Sequence, residues 1–134
     1  MEELKIRRFT RSDFSRILEI ERISFSLDTF SKRTFMRWYH KCSDLFIVAE
    51  IDKKIVGYMI TCSLPDKGYV ASIAVDPAYR HKGIGRVLAN FTFKQLKARS
   101  IKILELEVRM SNKEGMNFWK RLGFFPFKSS SKIL

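Results

Sequence analysis

The sequence predicts an α/β protein: a mixed, twisted sheet of about six to seven strands flanked by four helices. Three stretches carry that reading. LFIVAEI at 45–51 and IVGYMITCS at 55–63 flank Asp52-Lys53-Lys54, a connection short enough for an antiparallel hairpin. Ile73, Ala74 and Val75 form the apolar end of a further strand, which Asp76-Pro77 terminates because proline has no N–H to donate to a ladder. A helical run at 84–98 then leads to another strand, Ile101 to Met110, and a strand-helix-strand crossover implies a parallel pair.

The remaining elements follow in chain order. Leu4 to Phe9 alternates and reads as an edge strand. Thr10 with Asp13 three residues on resembles a capping box, ahead of an apolar stripe of Phe14, Ile17, Leu18 and Ile23. Ser31 caps a second helix with Phe35, Trp38, Tyr39 and Cys42 at helical spacing. After Pro65-Asp66-Lys67-Gly68, Tyr69 to Val75 completes a three-strand meander. The last helix spans about Lys113 to Leu122, Gly123 supplies a left-handed cap, and Phe124 to Phe127 restarts an extended segment. There are no repeats, linkers or low-complexity tracts, so residues 1–134 read as one domain.

Composition narrows the classes. With 46% hydrophobic residues and 12 Phe the chain has the means to bury a core, which excludes a disordered protein. The net charge of +12 is uneven: residues 1–67 hold 13 Lys+Arg against 10 Asp+Glu, and residues 68–134 hold 13 against 4. Such a field attracts polyanions, among them a nucleotide-bearing carrier, an acidic substrate or the ribosome. No recognised nucleic-acid motif is present. Cys42 and Cys62 form no C-x-x-C pair, and with two His the chain offers no metal cluster; the two cysteines read as buried free thiols of a reducing compartment. No signal-peptide core and no apolar run near ~20 residues appears, so a cytoplasmic protein without a membrane span is expected.

The chemistry concentrates at Arg80-His81-Lys82-Gly83-Ile84-Gly85-Arg86. Glycines let the backbone approach a ligand, and the first N–H groups of the following helix lack intrahelical partners. With the helix dipole and four basic side chains, they form an anion site suited to a pyrophosphate. G-x-G-x-x-G fails at Leu88, and G-x-x-x-x-G-K-[ST] is absent, so neither familiar nucleotide loop applies.

R-x-x-G-x-G after V-D-P-x-Y instead resembles the acyl-coenzyme A loop of the GNAT N-acetyltransferase superfamily. IDKKIVGYMI, SIAVDPAYRHKGIGRVL and LEVRMSN followed by F-W-x-x-L-G-F extend the resemblance over most of the chain, and the branch it matches acetylates protein N-termini, typified by ribosomal-protein-alanine acetyltransferases. The resemblance implies acetyl-CoA as donor, no metal, and a primary amine as acceptor, foremost a protein or peptide N-terminus. It places the pyrophosphate on the amides of 80–86, and the pantetheine arm along the backbone of Ile73, Ala74 and Val75, with an oxyanion donor near Val75. It also puts Asn112 on the cofactor and makes Glu107 the general base. Asn112 equally suits an N-cap, and Glu105, Glu107 and Arg109 alternate as a solvent-facing strand would.

Two departures stand out. Trp119 occupies the place of a tyrosine that protonates the leaving thiolate in this branch, and an indole is no usable acid; the thiolate then leaves unaided, or Tyr79 serves. The chain also ends at Leu134, which shortens the C-terminal strand region that lines the acceptor groove in relatives. A thiol intermediate at Cys62 finds no base arrangement with His40 or His81. Small-amine or lysine acetylation, or a non-catalytic acyl-coenzyme A or RNA-binding module, are the alternative readings.

Overall fold

The computed structural model describes residues 3–24, 31–107, 112–124 and the backbone of 130–133. Along the chain run β1 (Leu4–Arg8), α1 (Phe14–Ser24), α2 (Lys32–Lys41), β2 (Phe46–Ile51), β3 (Lys54–Ser63), β4 (Gly68–Val75), α3 (Ile84–Ala98), β5 (Ile103–Leu106), α4 (Lys113–Arg121) and β6 (Ser130–Ile133). The strands form one six-stranded sheet in the order β1-β2-β3-β4-β5-β6. The pairs β1/β2, β2/β3, β3/β4 and β5/β6 are antiparallel, and β4/β5 is parallel. The mixed α/β architecture expected from the hairpin and the crossover is therefore present.

Period-two alternation sends apolar side chains to both faces of the inner strands. Ile47, Ala49 and Met59 face α3 and α4, and pack with Leu88, Leu96 and Trp119. Phe46, Val48 and Tyr58 face α1 and α2, and pack with Ile17, Ile20 and Phe35. Strands buried on both sides need this near-continuous apolar run, which explains why β2 and β3 read so plainly.

Local signals hold where they were expected. Asp13 accepts the Thr10 N–H at 2.8 Å, so the acid three residues on does return to the cap, through a short turn at Arg11–Asp13 ahead of α1. Ser31 caps α2 by accepting the Thr34 N–H at 3.2 Å. Gly123 takes φ 94°, and its N–H reaches the Lys120 carbonyl at 2.9 Å.

Two expectations change. Cys42 and Cys62 are joined in a disulfide and are not free thiols; the β-ladder brings the end of β3 under the C-terminal cap of α2, a proximity that sequence spacing alone does not reveal. The strand expected over Ile101 to Met110 is described only as Ile103–Leu106, and 108–111 lie outside the described residues, as do 125–127 of the extended segment. β6 pairs with β5, Ile103 opposite Ile133, as a four-residue strand at the end of the sheet order.

Candidate active site

The site begins where β4 and β5 part. Among the described residues their ladder holds at Gly68 opposite Leu104 and Tyr69 opposite Glu105 and stops there, while β4 runs on to Val75 paired with β3. In the antiparallel β3/β4 ladder the Asp76 N–H bonds to the Val56 carbonyl at 2.8 Å. Counting back by two, Ala74 and Ser72 turn their backbone groups to β3, and Ile73 and Val75 turn theirs to the open side. Of the three residues expected to bind the pantetheine arm, Ile73 and Val75 therefore turn their backbone groups away from β3, and the Val75 carbonyl accepts from Arg80. Ala74 is committed to Tyr58.

Beyond Val75 lies the glycine loop. Asp76 caps its short turn by accepting the Ala78 N–H at 2.9 Å, and Arg16 of α1 pairs with the same carboxylate. Burial pushes the Asp76 carboxyl upward, but the Ala78 amide and Arg16 outweigh it and hold the group below its usual range. His81 and Gly83 adopt left-handed backbone at φ 63° and 80°, and the Val87 N–H to Gly83 carbonyl bond at 3.0 Å starts α3. The amides of Ile84, Gly85 and Arg86 precede the helical ladder and have no partner within it.

The fit of this turn to a diphosphate rests on space as well as on donors. A Cβ built on Gly83 would meet nothing within 4 Å, so the loop is open on that side. Lys82 lies over the Tyr79 ring at 5.4 Å, and His81 and Arg86 are exposed beside it. Arg80 behaves differently. Its Nε donates to the Val75 carbonyl at 3.0 Å and its Nη2 to the Ser24 hydroxyl at 3.1 Å, which ties the loop to the end of α1. Gly85 also departs from expectation: a Cβ there would come 3.1 Å from Cε1 of Phe118, so this glycine lets α4 approach α3.

At the other end of the parted pair stand Tyr69, Glu105 and Glu107. Lys67 Nζ holds Glu105 at 3.0 Å, whereas among the described residues Glu107 has no ion-pair partner. Tyr69 lies directly across β4/β5 from Glu105. Burial, then the charges of Glu107 and Glu105, raise its phenol above the ordinary value, so the hydroxyl stays protonated near neutral pH. Sequence reasoning passed over Tyr69; only its place as the last β4 residue paired with β5 marks it out.

The other residues sort clearly. Asn112 caps α4 by accepting the Gly115 N–H at 2.9 Å. Trp119 is 5% exposed and packs edge-on against Phe118 and Phe124, a core residue with no route to a leaving group. Tyr79 sits beyond the far end of β4 between Lys54 and Lys82, at the opposite end of that strand from Tyr69. Among the described residues no cluster of His, Cys, Asp or Glu could hold a metal, and no helix is long and apolar enough to cross a membrane.

A glycine turn with free helix amides, a parted strand pair running back from it, and carboxylates at the far end suit a group-transfer enzyme with a long, phosphate-bearing donor. The profile described as "Acetyltransferase (GNAT) family" matches residues 11–124, and the chain belongs to that family. It is an acetyl-CoA-dependent N-acetyltransferase.

The N-alpha-acetyltransferase of Sulfurisphaera tokodaii is 32% identical over 94% of this chain and 83% of its own length. The ribosomal protein bS18-alanine N-acetyltransferase of Haemophilus ducreyi is 31% identical over 89% and 81%. Among solved structures, Ard1 from Thermoplasma volcanium superposes with a TM-score of 0.94 at 19% identity, covering 98% of this chain and 97% of that one. The PaiA N-acetyltransferase of Thermoplasma acidophilum, solved with coenzyme A, gives 0.89 at 20% identity over 98% and 99%. At these identities the structural likenesses establish the fold.

Proposed function

We propose that this protein acetylates the α-amino group of a protein N-terminus by direct attack in a ternary complex. The observation that carries the reading is the opening between β4 and β5, bounded by the Gly83 loop at one end and by Tyr69 and Glu107 at the other. The amides of Ile84, Gly85 and Arg86, with His81, Lys82 and Arg86 around them, hold the diphosphate of acetyl-CoA, and Arg80 stiffens the loop from behind. Ile73 and Val75 align the pantetheine amides as an added strand along β4, and the Val75 N–H steadies the oxyanion. Asn112 adds a side-chain amide at the foot of α4, beside its capping bond.

An α-amino group has a pKa of about 7.7–8.0, so part of the acceptor arrives as ammonium at neutral pH. Glu107 accepts that proton, directly or through one water, and the protonated Tyr69 hydroxyl orients the water or the amine. The amine nitrogen then bonds to the thioester carbonyl carbon, the C–S bond breaks, and the second nitrogen proton passes through water to the departing thiolate, with no tyrosine acid at the buried Trp119 position.

A protein N-terminus is favoured over a small amine by the names of the relatives, an N-alpha-acetyltransferase and an enzyme acting on the alanine of a ribosomal protein. The excess of Lys and Arg in residues 68–134 steers coenzyme A and supports work beside a polyanionic assembly such as the ribosome, in the cytoplasm. A peptide panel varied at its first residue, read by mass spectrometry for the acetyl adduct, tests the proposal. Acetylation confined to lysine side chains or to small amines overturns it.

A further inference from the structure

Helix α2 is held to the sheet by few buried side chains. It has ten residues, and Phe35 is the one side chain along it that is fully buried. Phe35 packs against Tyr58 at 5.8 Å, and Tyr39 meets the edge of Phe9 at 5.4 Å. A helix this short has little stability of its own, so its place depends on such contacts. At its C-terminal end the anchor is covalent: Cys42, the capping residue, is bonded to Cys62 of β3.

Cys62 is the direct ladder partner of Tyr69. Opposed residues of an antiparallel pair share a face, so Tyr69 lies on the α2 side of the sheet, immediately beside the disulfide. Glu105 is opposite Tyr69 on the next strand, and Glu107 follows on the face of Glu105. One row across β3, β4 and β5 thus joins the α2 anchor to the proposed base. The glycine loop lies past the other end of β4, and α3 packs on the opposite face of the sheet, where Leu96 comes up behind Gly68.

We propose that the Cys42–Cys62 bond is a positioning element for the acceptor: it holds α2 against the row of Tyr69 and Glu107, and its cleavage weakens acceptor binding while sparing acetyl-CoA binding. Acting on the site named above, it rests on the N-terminal acetylation reading. In the redox step a dithiol reductant attacks the bond through the part-exposed Cys62, the S–S bond breaks, and Cys42 and Cys62 each end as a thiol. The two electrons come from the reductant, which closes its own disulfide. The thiol poise of the surroundings then sets how well the acceptor is held.

The test compares oxidised protein, protein reduced by dithiothreitol with both thiols counted, and a Cys42→Ser/Cys62→Ser variant, well below the melting temperature of each. The peptide KM should rise about fivefold or more on reduction and return on reoxidation, with acetyl-CoA affinity by calorimetry within about twofold. Amide hydrogen exchange gives a readout independent of turnover: protection across 32–41 should fall about tenfold while that across 84–98 holds. Unchanged peptide KM together with unchanged α2 exchange in fully reduced protein overturns the proposal. If no peptide is acetylated, the N-terminal reading fails alone, and the exchange pattern still decides whether the disulfide holds α2.

Discussion

Lys67 binds the Glu105 carboxylate at 3.0 Å, and that ion pair separates two acids which alternate on one strand face and look equivalent in the sequence. Glu105 is neutralised by its partner. Glu107, two residues on, is exposed and has no ion-pair partner among the described residues, as the proposed base role requires. Glu107→Gln is therefore expected to lower kcat/KM by about 10²-fold or more, the usual scale for losing a general base, with acetyl-CoA affinity unchanged. Glu105→Gln should cost only a few-fold. Initial rates for the two variants on one peptide decide the matter, and equal losses would remove Glu107 from the base role.

The two glycines of the loop separate in the same manner. At Gly83 any side chain would adopt φ 80°, a strain of about 1–2 kcal/mol, and would fill the open side of the loop, the proposed diphosphate site. Gly83→Val should weaken acetyl-CoA binding by about tenfold or more at modest cost in stability. At Gly85 the obstacle is the Phe118 ring, 3.1 Å from a built Cβ. Gly85→Val should chiefly destabilise the fold, by about 1–3 kcal/mol, and Phe118→Leu in the same chain should recover part of that loss. Calorimetry with acetyl-CoA and denaturant melts on the three proteins measure both effects.

These contrasts show what a linear reading reaches. The hairpin, the crossover, the loop-to-helix turn and the caps at Thr10, Ser31, Asn112 and Gly123 depend on residues close in sequence, and all were legible. What was missed depends on register. That Tyr69 faces Cys62 and Glu105 requires knowing where β3, β4 and β5 align, including the irregularity between Ile60 and Thr61. That Arg80 turns back to Ser24, 56 residues away, and that Gly85 serves Phe118 require the helices to be in place first. A basic residue in a glycine loop reads as a phosphate ligand until the carbonyl it already holds is seen.

Acid should destabilise the protein through Asp13. Burial pushes its carboxyl upward, yet the Arg7 guanidinium, at 2.9 Å to each oxygen, and the Thr10 amide bring the net value below the ordinary one. With the folded value below the unfolded value of about 3.9, this contribution is fully present above that pH and is lost as pH falls through the folded value. Melting temperature should thus drop on acidification below about pH 4, and Asp13→Asn should flatten that drop. At neutral pH the same variant is expected to lose about 1–3 kcal/mol, because Arg7 and the cap lose a charged acceptor. Wild-type and variant melts that run parallel from pH 6 to pH 3 would count against this assignment.

Tyr69 supplies the sharpest test of the chemistry because its protonation state is set by its neighbours. Burial comes first, then Glu107, then Glu105, and all three raise the phenol's pKa, so the hydroxyl is a donor throughout the neutral range and cannot itself be the base there. Tyr69→Phe removes that donor and keeps the ring that packs at the start of β4. If the hydroxyl orients the acceptor or its water, kcat should fall about tenfold with acetyl-CoA affinity intact, a loss smaller than that of Glu107→Gln. The coupling runs both ways. Glu107→Gln removes one of the charges holding the phenol up, so the ultraviolet titration of Tyr69, read as the difference from Tyr69→Phe, should move to lower pH in that variant. A tyrosine titration indifferent to Glu107→Gln would mean that the two groups are not electrostatically joined, and the shared role assigned to them would have to be divided.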